Sequence, residues 1–546
     1  MESLNRRPDA PDASSRPATG RWLALVALSA SVLVVGLDLT VLNVALPTLA
    51  GSLHASMSQL QWFVDSYSLV LAGLLLPAGL LADRFGRKRI LLIALVVFAA
   101  SSVGCAYASS PAALIAIRAL LGGGAAVIMT VALSILTVLF PTDEERQKAT
   151  AVLMGCTMLG YPLGPLLGGW LLSHFWWGSV FLISAPVAAV AFVAIVILMP
   201  ESRSASRPRL DATGVLLSSL GLVGVTYGVI QAGEQGWSSI RAVVALVLGA
   251  AALAGFFAWE RRLTAGNRQP LVDLDLFRSS RFTWGTILAT LVSFATFGLL
   301  FAMPQYFQAV MGEDPLGSGV RLLPLIAGLV VGGGLATRLQ GSSSKGAHGA
   351  ATTTPSPRLA TNRVVAIGFT AMAAGLFLGA NTTIHSGTWW AASWFVICGF
   401  GLGFSLPATM NLALGALAPE RSGTGSGLIM ACRQVGGTIG VALLGNVLNS
   451  QYRGDVNVAH LGTQAAQQVR EGVAAGMAIA RQLGDIALGH SVRSAFVSSL
   501  DVMLWLCAAI ALGGMLLALA FIPRRRSVAP VPARGVVAST GAVADE

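Results

Sequence analysis

A carboxylate lies near the middle of the first long apolar stretch of this 546-residue chain. It is Asp38, in the segment LDLTVLNVALP at 37–47. Charged groups are costly in hydrocarbon, so an acid at this depth marks a functional site. Burial disfavours the charged form, and such a group can take up a proton on one side of a membrane and release it on the other. The alternative is a structural Asp38 that hydrogen-bonds a neighbouring helix.

Two more ionisable side chains, Arg118 and Asp65, lie inside apolar stretches. By the rise of a helix, Arg118 and Asp38 both lie outward of the midplane, by about 10 and 5 Å, so the two can pair. Pairing favours the charged carboxylate, and breaking the pair favours its protonation, so a conformational change would drive proton uptake. Asp65 lies about 9 Å outward of the centre of its stretch, where we expect outside water to reach it. Asp65 either takes part in the passage of protons or substrate, or is an interfacial residue beside an aromatic belt.

A short charged segment, GLLADRFGRKR at 79–89, separates two apolar stretches that are each long enough to cross a bilayer. Its four cations cannot lie in hydrocarbon and stay on the cytoplasmic side, so the segment sets the orientation of the chain. Gly79 and Gly86 allow a tight turn, and Asp83 can accept hydrogen bonds from the first amides of the next helix. An ordinary positive-inside anchor would explain the cations but not these three residues.

The composition is that of a membrane protein, with 55% hydrophobic and only 11% charged residues. The net charge of +11 comes mainly from basic residues in segments that face the cytoplasm, so it reflects topology and does not indicate nucleic acid. All five cysteines lie in apolar stretches, so no extracellular disulfide framework is expected. No histidine lies in such a stretch, which leaves carboxylates for proton chemistry.

We expect fourteen apolar segments to form membrane helices, because lipid offers the backbone no other hydrogen-bond partner. With 79–89 inside, both termini are cytoplasmic. The outer segment 449–499 is expected to cap the outer surface, with a separate binding domain as the alternative. The predicted division is a disordered N-terminus at 1–21, a six-helix half at 22–199, two additional helices with cytoplasmic loops at 200–282, a second half at 283–522 with a flexible Gly/Ser-rich insert at 341–362, and a disordered C-terminus at 523–546.

Three short segments of the sequence resemble motifs of the major facilitator superfamily. Segment 79–89 is similar to the loop between its second and third helices, and 37–47 resembles the first-helix signature of the fourteen-helix drug:proton antiporter branch. The segment GYPLGPLLGG at 160–169 resembles the antiporter signature, which symporters of the fold mostly lack. Small residues four apart also allow close helix packing. The fourth-helix pattern differs, because Leu121 stands where the family has Gln.

The resemblance implies an all-α integral membrane protein with the major facilitator fold, in which two six-helix halves flank two intervening helices. It implies a proton-coupled exporter of amphipathic drugs or antibiotics in the plasma (inner) membrane of a bacterium, and not an enzyme. Proton-coupled uptake or export of a specific metabolite is the alternative function. We expect a monomer whose partners are lipid, protons and a small-molecule substrate, with no nucleic acid, and no cofactor because the proton gradient supplies the energy.

The expected site has three groups of residues, with no metal and no catalytic residue. Proton coupling is assigned to Asp38, Asp65 and Arg118. The conformational motifs supply Gly79, Asp83, Arg84, Gly86, Arg87, Gly160, Gly164, Pro165, Gly168 and Gly169. The substrate-binding candidates are Asp38 and a set of polar and aromatic residues, each alternatively a packing residue: Asn43, Trp62, Tyr161, Phe301, Gln305, Tyr306, Asn411, Arg433 and Gln434. Arg433 is expected to be the one buried ion of the second half.

Overall fold

The structure is a computed structural model that describes residues 18–140, 143–199, 201, 211–266, 274–340, 360–416 and 422–522. The first helices are α1 (Ala18–Ser52), α2 (Met57–Phe85), α3 (Arg87–Ala106), α4 (Pro111–Leu139), α5 (Asp143–His174), α6 (Ser179–Leu182), α7 (Ser184–Leu198), α8 (Ala212–Gln235) and α9 (Ile240–Ala265). A 3-10 helix, Leu274–Arg278, follows. The remaining helices are α10 (Ser280–Gln305), the π-helical segment Tyr306–Val310, α11 (Pro315–Arg321), α12 (Leu323–Gln340), α13 (Thr361–Gly379), α14 (Thr388–Leu414), α15 (Ser422–Asp455), α16 (Thr463–Glu471), α17 (Val473–Leu483) and α18 (Ile486–Phe521).

The regular structure of the described residues is entirely helical, which confirms the all-α membrane class. Twelve spans in this part of the chain are long and apolar enough to cross a bilayer. Helices α2 and α5, of 29 and 32 residues, are not among the twelve but reach about 44 and 48 Å at 1.5 Å per residue. The number fourteen stays a prediction.

The helices pack into two bundles. In the N-terminal bundle (α1–α7), α1 lies against α5 and α2 against α4, and in the C-terminal bundle (α10–α18), α12 and α13 lie against α14 and α10 against α15. The bundles meet where α2 packs against α15, α5 against α11, and α1 against α10. Helices α8 and α9 form a separate pair, and α8 also contacts α2 and α15.

Two predicted boundaries differ from the structure. Helix α1 begins at Ala18, inside the segment predicted to be disordered, and residues 1–17 and 523–546 lie outside the described residues. The candidate span Ser179–Leu198 is interrupted at Ile183, between α6 and α7, and the span Pro315–Ala336 at Leu322, between α11 and α12. Helix α13 begins at Thr361, so the end of the predicted insert is helical, and residues 341–359 lie outside the described part of the chain.

The predicted outer segment 449–499 contains α16 and α17 and the outer ends of α15 and α18. The hydroxyl of Tyr452 donates to the carbonyl of Val469 at 3.0 Å, which ties α16 to α15. Asp485 caps α18 by accepting from the Leu488 amide at 2.9 Å and lies 3.0 Å from His460 Nε2. The Leu488 amide, with a smaller contribution from His460, lowers the pKa of Asp485. Helix α17 also contacts α1, so this part of the C-terminal bundle reaches the N-terminal bundle.

Candidate functional site

Asp38 of α1 and Arg118 of α4 form a buried ion pair. Arg118 Nη1 lies 2.7 Å from Asp38 Oδ2, and the two side chains are 2% and 0% exposed. Arg118 Nε also donates to the carbonyl of Phe63 at 3.0 Å, and its guanidinium lies 4.5 Å from the ring centre of Tyr67, both on α2. Three contacts therefore hold the arginine between α1 and α2, although the family's Gln is absent at Leu121.

Asp38 is held less firmly than its partner. Its Oδ1 atom is buried and has no hydrogen-bond partner among the described residues. A buried charge is tolerated when it is paired, and removing one partner leaves the other uncompensated. The carboxylate therefore depends on Arg118 for its negative charge, and it can become neutral by taking up a proton when the two separate.

The glycines of α5 bring its backbone directly against α1 on both sides of Asp38. A Cβ atom on Gly160 would lie 2.7 Å from the Leu33 carbonyl oxygen, and one on Gly164 would lie 2.9 Å from the Leu37 carbonyl oxygen. A Cβ on Gly168 would lie 2.7 Å from the side chain of Val41. The glycines of segment 160–169 thus fix the position of the helix that carries the acid.

The other face of α5 closes the junction between the bundles at the end away from segment 79–89. A Cβ on Gly169 would lie 2.7 Å from the Pro315 carbonyl oxygen of α11, and Gly319 packs directly against the Pro165 carbonyl. Nearby, Gln308 Nε2 of the π-helical segment donates to the Val44 carbonyl of α1 at 2.9 Å. Gly319 and Gln308 were not among the predicted site residues. Their position near helix ends is the only feature of the sequence that indicated them.

Asp65 is wholly buried, at 0% exposure, so outside water does not reach it in this conformation, contrary to the expectation. Gln61, one turn before it, is 1% exposed. Neither side chain has a hydrogen-bond partner in the described part of the chain. Gln61 packs against Gly445 of α15, so these polar groups lie on the face of α2 that meets the C-terminal bundle. Their spacing of four residues is the signal that could have grouped them.

Segment 79–89 contains a single break between two helices. Gly86 has φ +109°, which glycine adopts readily, and it ends α2 and precedes α3. Gly79 lies inside α2, where a Cβ would lie 3.2 Å from Thr130 Cγ2, so its predicted role in the turn is wrong and it serves helix packing instead. Arg84 lies over Phe85 at 5.5 Å, and Arg87 Nη1 donates to the Ser134 carbonyl at 3.3 Å.

A different acid accepts the first amides of α3. The carboxylate of Glu201, just past α7, accepts from the backbone amides of Lys88 and Arg89 at 3.2 and 3.3 Å. Lys88 Nζ donates to the carbonyls of Val196 and Met199, both at 2.7 Å. The side chain of Asp83, to which we assigned this role, lies outside the described residues. Glu201 therefore ties α3 to α7 within the N-terminal bundle.

The predicted substrate residues do not gather at one place. Asn43, Phe301, Gln305, Tyr306 and Gln434 are buried, whereas Trp62 packs on Tyr227 of α8 at 5.9 Å and Asn411 is exposed at the inner end of α14. The side chain of Tyr161 lies outside the described residues. Arg433 Nε donates to Ser293 Oγ at 3.2 Å.

The second half contains another partly enclosed ion besides Arg433. Arg433 is only half-buried, and Asp501 is also half-buried with its Oδ1 enclosed, so Arg433 is not the one buried ion of that half. Gln305 lines a small cavity of about 20 Å³ beneath residues 471–475. Pro47 and Met57, from the other bundle, line the same cavity. This cavity lies at the outer end of the junction.

The sequence matches the Major Facilitator Superfamily over residues 28–441. The chain belongs to this family of membrane transporters, which confirms the predicted fold and the prediction that it is not an enzyme. It is 31% identical to the tetracenomycin C resistance and export protein of Streptomyces glaucescens, covering 91% of each chain. It is 32% identical to the multidrug efflux pump LfrA of Mycolicibacterium smegmatis, covering 92% of this chain and 97% of the relative.

The fold is also that of solved transporters. A bacterial homologue of the human lysosomal transporter Spinster, in an inward-facing and unoccupied conformation, superimposes with a TM-score of 0.65 at 19% identity. The alignment covers 94% of this chain and all of that structure.

Proposed function

We propose that this protein exports amphipathic drugs or antibiotics across the plasma membrane of a bacterium in exchange for protons. The observation that carries the proposal is the buried Asp38–Arg118 pair, whose acid has one unpartnered oxygen and lies on the helix that the glycines of α5 hold. The relatives named for export and efflux support the choice of drugs over metabolites. Both termini are cytoplasmic in this proposal, and the transporter acts as a monomer.

The pair couples proton movement to the change of access. With the outer side closed, Asp38 is ionised and paired with Arg118, and the passage can receive substrate from the cytoplasmic side. Opening the outer side requires α1 to leave the π-helical segment at Val44 and α5 to leave α11. Asp38 then takes up a proton from outside, substrate leaves, and the return to the closed outer state re-forms the pair and releases the proton inward.

One proton per substrate is sufficient for useful export. A proton falling through about 100 mV releases roughly 2.3 kcal/mol, which sustains a gradient of about 50-fold for a neutral substrate. Asp65 is the second candidate for proton coupling, because it is a buried acid on the helix that also holds Arg118. Its place between α2 and α15 exposes it only when the bundles separate.

The test uses purified protein in proteoliposomes with an imposed pH gradient and ethidium as the probe. Asp38→Asn keeps the size and hydrogen bonding of the side chain but cannot titrate, so pH-driven accumulation should vanish while downhill equilibration of ethidium persists. Asp38→Glu keeps the acid and should retain partial activity at a shifted pH. Full pH-driven transport by Asp38→Asn would contradict the mechanism.

The direction of transport separates the two candidate functions. Exchange predicts that ethidium moves against the direction of the proton flux, and co-transport predicts that it moves with it. Wild-type movement of ethidium with the protons would favour proton-coupled uptake and contradict export.

A further inference from the structure

Helices α2, α8 and α15 meet around a common junction at the level of Asp65. A direct contact joins each pair of these helices: Gln61 of α2 with Gly445 of α15, Trp62 of α2 with Tyr227 of α8, and Asn446 Nδ2 of α15 with the Val229 carbonyl of α8. The last of these is a buried hydrogen bond of 2.5 Å. The three contacts fix which side of each helix faces the junction.

The side of α2 that faces the junction is polar. Gln61 points toward α15 and Trp62 toward α8, about 100° apart around the helix. By the same geometry, Asp65 lies about 40° and Ser58 about 60° from Gln61, within the sector between those two directions. Ser58, Gln61 and Asp65 are 5%, 1% and 0% exposed. They form a buried polar stripe about 10 Å long, which starts near the end of α2 away from segment 79–89.

Helices α15 and α8 add amide side chains to the same junction. On α15, Gly445 faces α2 and Asn446 faces α8, and Asn449 lies about 40° from Gly445, in the sector between them. Asn449 is 4% exposed, whereas the next residue, Ser450, is exposed. Gln231 of α8, two residues beyond the contact with α15, is 8% exposed. The buried amides thus continue the polar stripe to the edge of the exposed surface.

Several polar atoms of the junction are enclosed but not paired. Both carboxylate oxygens of Asp65, both amide atoms of Gln61 and Asn449 Oδ1 have no hydrogen-bond partner among the residues that the structure describes. Buried polar groups are normally satisfied by protein or by ordered water. Such atoms on two facing helices, all directed into one polar junction, therefore mark a place that binds water.

Helix α8 stands between this junction and the lipid. Val229 of α8 and Ala442 of α15 form a buried apolar cluster, on which Trp62 and Leu246 of α9 pack. Leu220 of α8 is 61% exposed, as expected for a helix side that faces lipid tails. Polar groups without partners are costly in hydrocarbon, so a polar stripe between α2 and α15 requires such a cover.

We propose that the junction of α2, α8 and α15 is a water path that carries protons from outside to Asp65, and that α8 keeps lipid out of it. This inference rests on the proposed export function and its orientation of the chain. Separation of the bundles on the outer side moves α2 away from α15 and connects the junction to outside water past Asn449. A hydronium ion then passes its proton along hydrogen-bonded water to the Asp65 carboxylate. The carboxylate becomes a neutral acid, and the hydronium becomes water.

Other charged groups lie away from this path. Arg118 of α4 contacts the opposite side of α2 and pairs with Asp38 of α1. Helix α3 carries its charges only in its first turn, beside the break after α2. Helix α8 presents Tyr227, and α15 has no ionisable side chain at 434–451. Asp65 is therefore the carboxylate to which the path leads.

The functional test removes one amide from each of the two facing helices. Gln61→Leu/Asn449→Leu fills similar space but cannot hold water in line. In proteoliposomes with a fixed pH difference, this variant should export ethidium about tenfold more slowly than the wild type at an outer pH of about 8, with an unchanged KM, because proton delivery loses its relay. The deficit should shrink to about twofold at an outer pH of about 6, because a higher proton concentration offsets slower delivery.

The matched control is Gln451→Leu, which removes an amide about 200° around α15 from Asn449. It should export ethidium as the wild type does at both pH values. A double variant that exports at the wild-type rate, or that shows the same deficit at both pH values, would overturn the path. Absence of pH-driven ethidium export by the wild type would instead overturn the proposed function itself.

A second measurement detects the water directly and applies if the double variant does not fold. Gln61→Cys is made in a chain whose five native cysteines are replaced by serine or alanine. A cationic, water-soluble methanethiosulfonate added outside should modify this position during pH-driven export. A lipid-soluble maleimide should not modify it when no gradient is imposed. No modification by the first reagent, or modification by the second, would overturn the proposal.

Discussion

Exchanging the buried ion pair for neutral side chains should separate its contribution to stability from its role in coupling. In Asp38→Asn, Arg118 keeps the Phe63 carbonyl and the Tyr67 ring but loses its only ion-pair partner in the described residues. The guanidinium cannot lose its proton, so it becomes an uncompensated buried charge. Removing one partner of such a pair costs about 3–5 kcal/mol.

The partner variant should behave differently. In Arg118→Met, the unpaired Asp38 can neutralise itself by taking up a proton, so the loss should be smaller than in Asp38→Asn. The double variant Asp38→Asn/Arg118→Met removes both charges, and replacing a buried pair by neutral groups is often close to neutral in stability. It should therefore recover most of the loss without recovering pH-driven transport.

The assay pairs thermal unfolding in detergent with ethidium transport in proteoliposomes. We expect the order of stability wild type, double variant, Arg118→Met and Asp38→Asn, and no concentrative transport in the double variant. Additive losses in the double variant would show that the two charges do not compensate each other. Concentrative transport by it would place the coupling acid elsewhere, with Asp65 as the next candidate.

Three further predictions concern the packing of α5, the break between α2 and α3, and the insert. Gly164→Leu should fold poorly or transport without coupling, because the new side chain would meet the Leu37 carbonyl. Gly51 has open space around it, so Gly51→Leu is the control and should give a pump-deficient host the same drug resistance as the wild type. Glu201→Ala should lower stability by about 0.5–2 kcal/mol, as the loss of a helix cap does, and it should slow transport with an unchanged KM. A variant that unfolds as the wild type does would contradict this prediction. Replacing 341–359 by a short Gly/Ser linker should leave efflux intact, and lost transport at normal expression would refute the prediction.

The class of the protein and its rare charged positions can be read from the amino-acid sequence without coordinates. Hydrocarbon forces an apolar segment to be helical, and it makes every charge inside such a segment conspicuous, so Asp38, Asp65 and Arg118 could be singled out without coordinates. The family followed from short motifs whose glycines and charges have fixed spacing. These inferences use only local sequence, because lipid supplies a uniform environment.

The tertiary structure decided which groups meet. Asp38 and Arg118 are 80 residues apart, and Glu201 reaches amides 112 and 113 residues earlier in the chain. It also buried Asp65, placed Gly79 in a helix contact and packed α8 against both α2 and α15. In a membrane, the lipid-facing and protein-facing sides of a helix are both apolar, so the pattern of side chains does not reveal which face packs against which neighbour. Those choices depend on contacts between distant segments, and only the folded chain contains them.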